Sequence, residues 1–182
     1  MTLYTIGHST RTAEELLELL RRHDVRQIVD VRAFPGSRRH PHFGREALNA
    51  LLSANGVAYV HSPELGGRRR LRPTAQPTAW RNASFAAYAD YMTTAEFSLA
   101  IDQLVRRAEE QRTAIMCSEA VPWRCHRSMI SDAVVARGHG VLHILETSVS
   151  PHALTPFAVV EGYEVRYPPE PKQQPELPLT GA

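Results

Sequence analysis

The segment Cys117-Ser118-Glu119-Ala120-Val121-Pro122-Trp123-Arg124-Cys125-His126-Arg127-Ser128 holds two thiols, a carboxylate, an imidazole and two guanidinium groups. A thiolate is a nucleophile and a metal ligand, and its pKa falls beside cationic side chains or a helix N-terminus. Glu119 can give or take a proton. Arg124 and Arg127 offer forked donors to a phosphate or carboxylate. Cys117, Glu119, Cys125 and His126 are therefore catalytic candidates, and the two arginines are anion-binding candidates. Cys117 and Arg124 are separated by six residues, one more than in the phosphate-cradling loop of cysteine phosphatases, and no glycine lies between them. Phosphatase chemistry of that kind is not expected.

Other ionisable residues follow apolar runs: His8 after Leu3–Gly7, Asp30 and Arg32 around the end of Ile28–Val31, and His61 at the end of Val57–His61. His8, Asp30 and His61 join the catalytic candidates, with Asp30 suited to orient either histidine. Arg38 and Arg39, then Arg68, Arg69, Arg70 and Arg72, form two basic clusters where guanidinium groups could meet an anion. Arg32, Arg38, Arg39, Arg68 and Arg69 are the anion-binding candidates there. Phe43, Trp80 and Trp123 either stack on a base beside the arginines or pin their own loops. A zinc site of the common kind needs ligands in close-spaced pairs, and Cys117 and Cys125 are too far apart for it. A site drawing on His8, His61, Cys117 and Cys125, or a thiol redox pair, is the weaker reading. No metal and no cofactor are expected.

These groups need elements to position them. Leu3–Gly7 reads as a buried strand, and Thr12-Ala13-Glu14-Glu15 as a capping box opening a helix with Leu16, Leu17, Leu19 and Leu20 inward. Ile28–Val31 and Val57–His61 read as strands around a helix from Arg45 to Asn55 closed by Gly56. Ser84 caps a helix carrying Phe85, Tyr88 and Met92, and a further helix carries Phe97, Ile101, Leu104, Val105 and Ala108. Ala114–Cys117 is the fourth strand. Pro122 suits the first turn of a helix running through Met129, Ile130 and Val134 to Gly138, and Val141–Leu145 is the fifth strand. Val159 to Tyr167 reads as an edge hairpin.

Strands alternating with helices, and apolar along their length, predict an α/β three-layer sandwich with a mainly parallel sheet of about five strands. A chain of 182 residues fits a single α/β domain over 1–167 with a disordered Pro/Gln-rich tail over 168–182. In such sheets ligands bind beyond the carboxyl ends of the strands. His8, Asp30, Arg32, His61, Cys117 and Glu119 are therefore expected to line one cleft, overhung by a mobile loop from Leu65 to Asn82.

Several motifs in order carry a resemblance: Tyr4-Thr5-Ile6-Gly7-His8-Ser9, Asp30-Val31-Arg32 with Pro35-Gly36-Ser37, Glu64-Leu65-Gly66-Gly67, Cys117-Ser118-Glu119 and Cys125-His126-Arg127. From about Leu3 to about Ile144 the chain resembles the family called domain of unknown function 488. The resemblance implies the α/β domain and marks these residues as the family pattern. It implies no substrate or reaction.

Net charge is only +2, so composition does not by itself announce a nucleic-acid binder. Arginines interleaved with aromatics nevertheless fit a nucleotide or nucleic-acid ligand better than a small dicarboxylate. The expected function is an enzyme of hydrolase or lyase type acting on such a substrate. The alternatives are a non-catalytic nucleic-acid-binding module and a thiol or metal protein. The two cysteines argue against a secreted disulfide scaffold, and the N-terminus has neither a signal peptide pattern nor a membrane span, so a cytoplasmic protein is expected. In the tail, Gln174-Pro175-Glu176-Leu177-Pro178-Leu179 resembles the peptide by which bacterial DNA-repair and replication proteins dock on the sliding clamp. Gln174, Leu177 and Leu179 would be its contacts, linking the protein to DNA repair.

Overall fold

The computed structural model describes residues 1–36 and 40–169. Its strands are β1 (Thr2–Gly7), β2 (Gln27–Asp30), β3 (Ala58–His61), β4 (Thr113–Cys117), β5 (Gly140–Ile144), β6 (Val149–Pro151), β7 (Val159–Glu161) and β8 (Glu164–Arg166). Its α-helices are α1 (Ala13–Arg22), α2 (Arg45–Ala54), α3 (Ala83–Tyr91), α4 (Ala95–Glu110) and α5 (Arg127–Ala136). Short 3-10 turns occupy Pro41–Phe43, Pro63–Leu65 and Pro122–Arg124.

The central sheet has the order β3-β2-β4-β1-β5-β6. All neighbours run parallel except β5 and β6. The five expected strands are therefore present, with a sixth added antiparallel at the edge. Leu16, Leu17, Leu19 and Leu20 of α1 join Leu48 and Leu52 of α2 in one apolar cluster, and α3, α4 and α5 supply a second. Helices thus cover both faces of the sheet, which makes the three-layer α/β sandwich. Burying a leucine contributes about 1.5–3 kcal/mol, so the α1 stripe alone anchors that helix firmly. The Thr12 capping box forms as expected, with Glu15 N–H donating to Thr12 Oγ1 at 3.2 Å and Thr12 N–H to Glu15 Oε2 at 2.8 Å.

Three expectations are corrected. The cap of α3 is Asn82, whose Oδ1 accepts from the N–H groups of Ser84 and Phe85, so Ser84 lies inside the helix. Pro122 opens a separate 3-10 turn. The backbone then extends at Cys125 (φ −139°, ψ 145°) before α5 begins at Arg127. The hairpin of β7 and β8 does not join the main sheet; it forms its own two-stranded sheet. Val165 and Tyr167 bury into the α3–α5 cluster, and the Tyr167 hydroxyl donates to Asp132 Oδ2 at 2.7 Å. The tail with Gln174, Leu177 and Leu179 lies outside the described residues. Among the described residues, no helix is long and apolar enough to cross a membrane.

The connections leaving β1 and β4 run in opposite directions, since β1 leads across β4 to β2 and β4 leads across β1 to β5. A crevice opens beyond the carboxyl ends of two such strands.

Candidate functional site

Beyond β1 and β4 the two chains stay paired for one more step: His8 N–H donates to the Cys117 carbonyl and Ser9 N–H to the Ser118 carbonyl, both at 2.9 Å. Gly7 makes this possible, because a Cβ there would lie 1.8 Å from the Glu119 carbonyl oxygen. A cleft of about 430 Å³ opens above this junction, lined by His8, Arg32, Phe34, Gly67, Arg68, Asn82, Phe85, Cys117, Glu119, Arg124, Cys125 and His126 among others.

At its floor three soft or borderline donors converge. Cys117 Sγ from the end of β4, and Cys125 Sγ and His126 Nδ1 from the entry to α5, all lie within 4.8 Å of one another. Cys117 and Cys125 are only 6% and 3% exposed, yet both reach the cleft. The close approach of Cys125 Sγ, with burial, pushes the Cys117 thiol up. The same approach, reinforced by Arg127, pulls Cys125 down. His126 Nε2–H donates to the Val31 carbonyl at 3.1 Å, and Nδ1 faces Cys125 Sγ at 3.6 Å. Gly67 permits that placement, since a Cβ there would meet His126 Nδ1 at 2.5 Å.

Arg127 was expected to bind an anion from the cleft, but it is 1% exposed. Its Nε donates to Cys125 Sγ at 3.4 Å and its Nη2 to the Glu119 carbonyl. No carboxylate of the described residues pairs with it. A buried cation without a carboxylate favours negative charge on the neighbouring sulfur.

Asp30 lies beneath the cleft rather than in it. Fully buried, its carboxylate takes Arg32 Nε at 2.8 Å, Arg32 Nη2 at 2.6 Å and the Tyr59 hydroxyl at 2.7 Å. It therefore orients Arg32, and neither of the histidines expected. Arg32 Nη1 faces His8 Nε2 at 3.3 Å. His8 Nδ1–H donates to the Ser9 carbonyl at 3.0 Å and its ring stacks on Phe43 at 4.3 Å. Burial, then the Arg32 charge, lowers the His8 pKa to about 4, so the ring is neutral near pH 7. His61 is turned away: its Nε2–H donates to the Arg32 carbonyl at 2.9 Å and its ring lines a separate small cavity beside α4.

The arginines divide into free and committed groups. Arg68 and Arg124 are exposed on the cleft wall, with Arg68 5.7 Å from the centre of the Phe34 ring. Arg69 is not available to an anion in the cleft: it donates to the Gly66 and Pro63 carbonyls, each at 2.9 Å, and lies 3.6 Å over Tyr91. Arg72 is held by Asp90 through Nε at 2.7 Å and Nη2 at 2.7 Å. These two tethers fasten the segment from Leu65 to Asn82, which meets the cleft through Gly67, Arg68 and Asn82. Arg38 and Arg39 lie outside the described residues. Glu119 is exposed on the rim.

For Phe43 and Trp80 the structure decides between stacking on a base and pinning a loop. Phe43 is fully buried, and Trp80 stacks on Phe85 at 4.8 Å and packs edge-on to Phe157 and Tyr167. Both pin their loops. Trp123 is 63% exposed but borders a different cavity. Phe34 and Phe85 face the cleft instead. Phe34 carried one signal in the sequence, its place just beyond the Asp30-Val31-Arg32 strand end. Gly67 carried none beyond its motif, and Tyr59 none beyond its place in the Val57–His61 run.

A search of curated proteins and a search of solved structures each return no match. The model of the family described as Domain of unknown function DUF488 matches residues 12–134, which takes in Asp30, Arg32, Gly67 and the whole Cys117–Arg127 segment. That span is more than half of the 182 residues, and the chain therefore belongs to the DUF488 family.

Proposed function

We propose that the protein is an enzyme of hydrolase or lyase type acting on a nucleotide or nucleic acid held in this cleft. The observation that carries the reading is the meeting, in one cleft of about 430 Å³, of the Cys117–Cys125–His126 floor with a wall of Phe34, Phe85, Arg68 and Arg124. Phosphate oxygens would meet the exposed guanidinium groups, and a base would stack on Phe34, whose ring is 73% exposed although it sits beside a charged cluster. Arg32 contributes shape more than charge, because Asp30 neutralises it. Glu119 on the rim is the proton carrier. A module that only binds has no use for a buried thiol pair at the floor of its groove, and this favours catalysis over binding alone.

Glu119→Gln keeps the shape of the rim and removes the proton carrier. A panel of nucleotides and short DNA and RNA strands, followed by mass spectrometry for turnover and by fluorescence anisotropy for affinity, separates the readings. The enzyme reading expects turnover by the native chain, lost in the variant with affinity kept. Affinity without turnover in both proteins supports a binding module, and neither affinity nor turnover removes the nucleic-acid assignment. The reduced cysteines fit a reducing compartment, and we place the protein in the cytoplasm. The clamp-like peptide at Gln174, Leu177 and Leu179 would bring the cleft to DNA under replication or repair.

A further inference from the structure

We propose that Cys117, Cys125 and His126 form a zinc site with three protein ligands and a fourth position open to the cleft. The inference deepens the enzyme reading and rests on it for the site's role, though not for its ligands. Tetrahedral zinc with Zn–S of about 2.3 Å and Zn–N of about 2.0 Å holds its ligand atoms roughly 3.5–3.8 Å apart. Cys125 Sγ and His126 Nδ1 are already 3.6 Å apart, and all three donor atoms fall within 4.8 Å. Side-chain rotation of less than about an ångström closes the set.

The surroundings are those of a metal centre in two further respects. His126 commits Nε2–H to a backbone carbonyl, the outer-shell contact that fixes a metal-binding imidazole with its other nitrogen aimed at the ion. Arg127 Nε donates to Cys125 Sγ, an N–H···S contact of the kind that supports a metal thiolate. Two thiolates and a neutral imidazole select a soft or borderline cation over magnesium or calcium, and balance the charge of Zn²⁺. Spacing in the sequence argued against zinc because the two cysteines are not a short-range pair. The convergence instead comes from a strand end and a helix entry brought together by the fold.

Three ligands and an open position make a catalytic rather than a structural site. Water bound there would give a proton to the Glu119 carboxylate, the remaining hydroxide would add to an electrophilic carbon or phosphorus of the substrate, and that proton would leave with the displaced group.

The test uses the full chain, stripped of metal and kept reduced with a phosphine. Zinc is titrated against a chromophoric chelator, and cobalt(II) is added separately and followed by absorption. The expected result is one ion per chain, tetrahedral cobalt bands, and a thiolate-to-cobalt charge-transfer band. That band weakens in Cys117→Ser and in Cys125→Ser and persists in His126→Gln, while zinc affinity falls at least about tenfold in all three. Circular dichroism checks that each variant is folded. Should a serine variant fail to fold, the native cobalt spectrum and His126→Gln still decide. No uptake by the folded, reduced native chain, uptake without charge transfer, or unchanged affinity in His126→Gln overturns the zinc site. Nucleotide affinity is measured on the metal-stripped chain, so loss of the zinc site leaves the substrate reading standing, and zinc uptake without nucleotide binding or turnover removes that reading alone.

Discussion

Replacing Asp30 by asparagine tests whether Arg32 is a structural cation of the cleft floor. Asp30 is fully buried and Arg32 is 6% exposed. The carboxylate accepts four hydrogen bonds, from Arg32 N, Nε and Nη2 and from the Tyr59 hydroxyl, at 3.1, 2.8, 2.6 and 2.7 Å. Asparagine keeps the volume, so no cavity term enters. It retains one accepting oxygen but turns a nitrogen toward donors and removes the only carboxylate bonded to Arg32 among the described residues. Breaking one side of a buried ion pair costs about 3–5 kcal/mol, chiefly because the other charge is left uncompensated. With a urea m-value of roughly 2 kcal/mol/M for a chain of this size, the unfolding midpoint should fall by about 1.5–2.5 M. Tryptophan fluorescence during urea unfolding measures it. The double variant Asp30→Asn with Arg32→Met should recover about 2 kcal/mol of that loss, because the stranded charge is gone. A loss below about 1 kcal/mol in Asp30→Asn, or no recovery in the double variant, would show that Arg32 finds solvent or another anion and that the pair does not hold the floor.

Gly67→Ala should displace His126, whose ring cannot retreat because Nε2 is tied to Val31 and Tyr88 packs at 5.2 Å; a cost of about 1–3 kcal/mol and a shifted His126 imidazole NMR signal are expected. Gly36→Ala, whose added methyl meets nothing within 4 Å, is the control, and equal behaviour of the two variants would contradict the close approach. Burial, then the charges of His152 and Arg127, lowers the His143 pKa from 6.5 to about 4. The native state thus refuses a proton that the unfolded chain accepts. Its stability should be full above pH 6.5 and decline as pH falls toward about 4, by at most about 1 kcal/mol per pH unit after solvent screening. Urea midpoints measured across that window should flatten in His143→Gln, and an unchanged slope would sink the assignment. A peptide spanning Lys172–Ala182 should bind the bacterial sliding clamp, and Gln174→Ala with Leu177→Ala should abolish binding; no binding by the native peptide removes the docking motif.

Elements with a strong local signal were legible in the sequence. The β-branched and apolar runs gave five strands within a residue or two, and Thr12 with Glu15 marked the start of α1 because its capping bonds are local. β6 was not legible: three residues ending in Pro151 pair only through the edge of β5, where a missing N–H is tolerated. The start of α5 was misread because proline fits the first turn of a 3-10 turn as well as that of an α-helix. At the site, the strand-end rule found His8, Arg32, Cys117 and Glu119, since strand direction alone sets which loops gather. It misplaced His61, because position at a strand end does not say which way the side chain turns. Arg127 was expected to meet an anion and is buried, and Trp80, open between a stacking platform and a loop pin, is the pin. In both, a tertiary partner, Cys125 or Phe157, decided the outcome.

The placement of β1 bears on how the molecule can be cut. The family match begins at residue 12, after β1, yet β1 lies between β4 and β5 in the middle of the sheet. A fragment trimmed to 12–134 would lose both β1 and β5, baring the β4 flank that β1 covers. It would also lose Gly7 and the backbone donors of His8 and Ser9 that clasp the exit of β4. An unpaired flank of Thr113–Cys117, buried along its whole length in the intact fold, is a template for intermolecular pairing. The segment that carries most of the recognisable motifs is therefore not a folding unit. The thiols at its end are positioned by residues more than a hundred places earlier in the chain, and they acquire their geometry only after the long-range pairing of β1 with β4 has closed.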